Sequence, residues 1–137
     1  MCLALAALAA TPAPAPVFVA TERFTLAWTH SIEKVRWEED YAVVRAPEGR
    51  VELRALSARV RGSAAGMEPA PDAVLKDGWY SYTPPGLRQP AALRLSRSEF
   101  TADYELCTGG QCHALSQWLK SDGGVTVVTA CEGSATR

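Results

Sequence analysis

Apolar and polar residues alternate with a period of two along much of the chain, the signature of strands with one buried face. Phe24, Leu26 and Trp28 alternate with Thr25, Ala27 and Thr29. A second strand is predicted over 37–45, with Tyr41 and Val43 on one face, and Glu48-Gly49 forms a turn after Pro47. Between 51 and 60 the pattern changes phase: Val51, Leu53 and Ala55 share one phase, and Leu56, Ala58 and Val60 the other. A regular strand cannot turn both sets inward, so this segment predicts a bulge or bend near Ala55-Leu56. Small residues and prolines over 62–71 read as a loop. Further short strands are predicted at 79–82, 91–95, 103–107, 113–119 and 125–130. Turns at Pro84-Pro85-Gly86, Gly109-Gly110 and Asp122-Gly123-Gly124 separate several of them. About eight short strands with regular turn spacing predict a mainly β chain: a single-domain antiparallel β-sandwich, with a small β-barrel as the alternative.

The first residues break this pattern. Met1 to Ala10 (MCLALAALAA) are almost wholly apolar, and Ala13-Pro14-Ala15 has the small-x-small form of a cleavage site. Residues 1–16 therefore read as a signal-like segment, with a disordered tail as the alternative, and 17–137 as one β domain. The expected location is periplasmic or otherwise extracytoplasmic. A lipid-modified Cys2 that anchors the domain to a membrane is a further reading. No later apolar run approaches the ~20 residues that a spanning helix needs.

Composition narrows the partners. Within 137 residues, 14 Lys and Arg face 15 Asp and Glu, for a net charge of -1. Such a balance argues against nucleic acid and anionic membrane surfaces as partners. The cysteines fit export: Cys107 and Cys112 flank Thr108-Gly109-Gly110-Gln111, a sequence suited to a tight hairpin that sets the two thiols opposite each other for a disulfide. A metal site from Cys107, Cys112, His113 and Cys131 competes with this reading but lacks paired C-x-x-C spacing. With the disulfide, Cys131 is left unpaired or bonded elsewhere. No cofactor is expected.

Polar residues that could carry chemistry concentrate between Trp28 and Tyr41. His30 continues the inward phase of Trp28, and Ser31 takes the opposite one, so the two do not easily form a nucleophile-base pair. A return strand could bring Glu39 back beside His30, where a histidine and carboxylate orient a ligand, bind a cation or move a proton. The bland reading is a rim histidine bonded to a carboxylate that satisfies it. Gly62 to Glu68 is small enough for close approach of a ligand or another backbone, yet no GKS or GKT follows to make it a phosphate loop. Trp79, Tyr80 and Tyr82 read either as a binding surface or as cross-strand core pairs.

His30-Ser31-Ile32-Glu33-Lys34, the Glu39-x-Tyr41 pair and the Ala65-Gly66-Met67 turn together resemble the domain of unknown function 1850 family of small exported bacterial proteins. The similarity covers roughly 24–82, and Ala64 stands where a glycine is common. Members are often encoded beside tripartite (TRAP) transporters of the TAXI type, which take up small organic solutes. The resemblance implies a periplasmic accessory or binding module whose ligand or partner residues are His30, Ser31, Glu33, Glu39, Gly66 and Met67, with TRAP transporter components or a small organic solute as partner. It implies no catalytic role for any of them. Two other readings remain: a small hydrolase or metal-dependent enzyme using His30 and Glu39, and a structural β module without a ligand.

Overall fold

A computed structural model of the chain describes residues 1–8, 14–29, 35–61, 74–76, 78–82, 90–98 and 102–132. The expected β-sandwich is what these residues form. Two antiparallel sheets face each other and do not close into a barrel.

The larger sheet has seven strands: β3 (Arg23–Thr29), β4 (Arg36–Arg45), β5 (Val51–Arg61), β6 (Val74–Lys76), β7 (Trp79–Tyr82), β9 (Glu105–Thr108) and β10 (Gln111–Ala114). The smaller has four: β1 (Cys2–Ala7), β2 (Val17–Ala20), β8 (Leu93–Ser96) and β11 (Val125–Cys131). Their spatial orders are β10-β9-β3-β4-β5-β7-β6 and β2-β1-β11-β8. Phe24, Leu26, Tyr41, Val43, Leu53 and Leu106 from the large sheet meet Leu3, Leu5, Leu95 and Val128 from the small one in a single core. Phe24 and Tyr41, directly opposite on β3 and β4, stack with ring centroids 5.3 Å apart.

The phase change along β5 is a bulge at the expected place. Tyr41 pairs with Ala55 and Asp40 with Ser57, so Leu56 is the extra residue. Leu53 and Ala58, which a regular strand would turn to opposite faces, are thereby both about 1% exposed.

Elsewhere the elements differ from expectation, each for a local reason. The apolar run at the N-terminus, read from sequence as part of a signal-like or disordered segment over 1–16, forms β1 of the small sheet. Leu3 and Leu5 are fully buried, and β1 pairs with both β2 and β11. Leucine alternates with alanine here, so the period of two is present but hidden, because both residues are apolar. Cys131, which sequence left unpaired or bonded elsewhere, is bonded to Cys2 across 129 residues. The strand expected over 113–119 stops at Ala114; a 3-10 turn, Leu115–Gln117, follows and buries Leu115. Arg97 continues the inward phase of Leu93 and Leu95 and is only 4% exposed. Its guanidinium donates to both carboxylate oxygens of Asp103, the Leu119 carbonyl and Thr126 Oγ1, closing that end of the core. Among the described residues no helix is long and apolar enough to cross a membrane.

Candidate functional site

Register decides which polar side chains meet. On β4, Trp37, Glu39, Tyr41 and Val43 face the small sheet, whereas Arg36, Glu38, Asp40 and Ala42 face away from it.

The outward face carries a connected charge network. Asp40 lies between Thr25 and Ser57 in the register, accepts a 2.6 Å hydrogen bond from each hydroxyl, and accepts 2.7 and 3.4 Å bonds from Arg59. Burial raises the Asp40 pKa, but the bonds from Arg59, Ser57 and Thr25 outweigh it and hold the carboxyl below its ordinary value. Glu38 joins Arg59 and Arg36, and Arg36 reaches on to Glu105 at 2.9 Å. These side chains roof Ala27, which is fully buried beneath them. Beside the network runs a groove of about 540 Å³, walled by Leu56 at the bulge and by the Cys107–Cys112 hairpin. The acids of this groove are all matched by arginine. The network reads as a structural clamp across four strands.

The inward face is different at the end where β3 stops, β4 starts and β5 stops. Glu39 sits there, half-buried, with Leu26 beside it on β3 and Ala58 beside it on β5; Tyr82 follows Ala58 in the same row. Tyr41 donates a 2.5 Å hydrogen bond to Glu39 Oε1. Trp28 and Trp37 stack in the next row with centroids 6.2 Å apart, and Tyr104 tilts against Trp28 at 5.9 Å. Burial raises the Tyr41 pKa first, and the bond and charge of Glu39 raise it further. Burial followed by the Glu39 charge does the same to Tyr82 and Tyr104, so one carboxylate acts on three phenols. Among the described residues, no ion pair includes Glu39.

Of the residues expected from sequence, the structure thus places Glu39. His30, Ser31, Glu33, Gly66 and Met67 lie outside the described residues. The strands that lead to them do end together: Thr29 pairs with Arg36, and Trp37 with Val60, one residue before β5 ends. The Glu39-x-Tyr41 spacing, read as a motif, is a same-face hydrogen-bonded pair two residues apart. Sequence reasoning missed Trp37 and Tyr104 as neighbours of Glu39, although the inward phase of Trp37 was readable from Tyr41 and Val43.

Cysteine chemistry is settled by pairing. Cys107 and Cys112 form the expected disulfide, directly opposite on β9 and β10 with Gly109 and Gly110 at φ 63° and 83° in the turn. Glu105 lies near both sulfurs, but disulfide sulfurs are not thiolates and do not ligate as such. The alternative metal set of Cys107, Cys112, His113 and Cys131 therefore has no free thiol, and His113 rests edge-on against Trp118.

Fold and site together define a disulfide-braced β-sandwich with a carboxylate set among aromatic rings at one end. Residues 24–115 match the family described as Domain of unknown function (DUF1850), and the chain belongs to it. No curated protein and no solved structure matches the chain.

Proposed function

We propose that the protein is an extracytoplasmic binding module that serves a TRAP-type solute transporter, with its binding site at the Glu39 end of the seven-stranded sheet. The observation that carries the reading is the state of Glu39. A half-buried carboxylate with a single tyrosine donor and no cationic partner among the described residues is costly to a fold, and such costs concentrate where a ligand or partner supplies the missing group. Trp28, Trp37, Tyr82 and Tyr104 around it are each half-buried rather than sealed, which suits a recognition surface. Two disulfides support an oxidising compartment. The transporter connection rests on the habit of family members to be encoded beside such systems.

The test is copurification. The tagged protein, expressed together with a TRAP-type transporter of its own organism, should retain the membrane subunit or the solute-binding protein in mild detergent, and Glu39→Gln should weaken that retention or its dependence on solute. Repeated absence of both components from the wild-type eluate overturns the reading.

A further inference from the structure

We propose that the Glu39 site binds an organic ammonium ion, the cation seated against the carboxylate and the faces of the surrounding aromatic rings. The inference rests on the proposed binding role and names the chemistry of the ligand. Three independent features converge on it.

The first is charge. Glu39 faces inward among Leu26, Ala58, Trp28, Trp37 and Tyr41, and the described side chains on this face include no Lys or Arg within ion-pair reach of it. The contrast with the opposite face of the same strand is sharp: Glu38 and Asp40, one residue to either side, are each bound by Arg59. Among the described residues, the outward acids are satisfied by the protein's own arginines and the inward one is not.

The second is the surround. Tyr82 lies across Ala58 from Glu39, Tyr41 holds the carboxylate from its own strand, and the Trp28–Trp37 stack with Tyr104 forms the next row. Ala58, the small residue of the row, lies between Glu39 and Tyr82 and is itself 1% exposed. Aromatic faces with one carboxylate are the setting that recognises alkylated ammonium, because ring quadrupoles stabilise a diffuse cation that water hydrates weakly. An anion would be repelled by the carboxylate, and a metal ion would find no second acidic, histidine or thiolate ligand grouped with Glu39 among the described residues.

The third is an unmet hydrogen bond. The indole Nε1 of Trp37, on the same face two residues before Glu39, is buried and has no acceptor among the described residues. Buried donors of this kind nearly always find a partner. An acceptor oxygen on the ligand, as in an amino alcohol, would supply one.

Choline is the probe, and 3,3-dimethylbutan-1-ol, which has the same shape without the charge, is its control. Two of the four tryptophans lie in the site, so ligand binding is read from tryptophan fluorescence and confirmed by calorimetry on the full chain. Choline should give a saturable change, with the neutral isostere at least about tenfold weaker. Glu39→Gln, which keeps the bond from Tyr41, should remove most of that preference while the melting temperature stays close to wild type. Tyr82→Leu should weaken choline and leave the fold intact. The proposal is overturned if the isostere binds as well as choline, if Glu39→Gln leaves choline affinity unchanged, or if no saturable change appears up to about 50 mM choline. Retention of the transporter subunits alongside any of these three results would spare the binding role and remove only the ammonium ligand. Loss of the subunits with choline binding intact would do the reverse.

Discussion

Asp40 and Arg97 show how much of this fold is decided by single polar side chains. The Asp40 carboxyl is held below its ordinary pKa because hydrogen bonds from Arg59, Ser57 and Thr25 outweigh its burial. A carboxyl of that kind adds stability that is complete above its unfolded pKa and is lost as pH falls through the folded one. Urea midpoints of the wild type should therefore decline on acidification below about pH 4. Asp40→Asn should start from a lower midpoint at neutral pH and decline less steeply; an unchanged slope would show that other acids dominate. Arg97 poses the harsher case, with its side chain 1% exposed and bonded to Asp103. Arg97→Leu should cost about 3–5 kcal/mol in urea unfolding, because the acid loses its cation in a partly buried place. Neither role was legible in the sequence. Asp40 meets Arg59 only through a register that includes the bulge, and Arg97 sits in a polar Ser-Arg-Ser run that reads as surface. Glu39 was legible because its bond to Tyr41 lies within one strand, where spacing alone places both side chains on one face.

At the scale of elements, patterning succeeded wherever one face is apolar and the other polar. Strands β3, β4 and β7 follow their alternation, and the bulge on β5 was predicted by two apolar sets that a straight strand could not both bury. Patterning failed where both faces are apolar or where tertiary bonds end a strand. Strand β1 alternates leucine with alanine, and a short apolar run of this kind does not separate a strand from a leader peptide. The strand after Cys112 ends early because the Leu115 amide bonds to the Tyr104 carbonyl and the Ser116 amide to Asp103. The placement of β1 has a direct consequence. It lies between β2 and β11 and contributes Leu3 and Leu5, each fully buried, so its loss exposes both neighbours and opens the core. Burying two leucine side chains is worth roughly 3–6 kcal/mol before any hydrogen bond is counted, comparable to the whole stability of a small domain. A chain that lacks residues 1–16 should fail to unfold cooperatively in circular dichroism melts, and the folded protein isolated from cells that express the full chain should retain Cys2 by mass spectrometry. A shortened chain that melts like the full one would remove β1 from the fold.

For the whole molecule, the two disulfides act on very different scales. The bond between Cys107 and Cys112 spans five residues and staples a hairpin already closed by Gly109 and Gly110. The bond between Cys2 and Cys131 joins the first residue of β1 to the last of β11, strands that are also paired side by side over six residues. In the chain-entropy account, a crosslink stabilises by restricting the unfolded chain, and the gain grows with the logarithm of the loop it closes. That relation gives about 2 kcal/mol for the short loop and about 5 kcal/mol for the long one. The order should survive even if both values shrink through strain or residual structure in the unfolded state. Replacing Cys107 and Cys112 together by serine should lower the melting temperature modestly. The same replacement at Cys2 and Cys131 should lower it several times as far and make the small sheet the first part to exchange amide hydrogens. If the hairpin pair proves the more damaging, the entropic account is wrong for this domain, and the Cys107–Cys112 bond must instead hold the geometry of β9, which pairs with β3 beside the Glu39 row. Choline binding by that variant would then separate the two possibilities, because a purely entropic staple leaves the native site, and hence its affinity, unchanged.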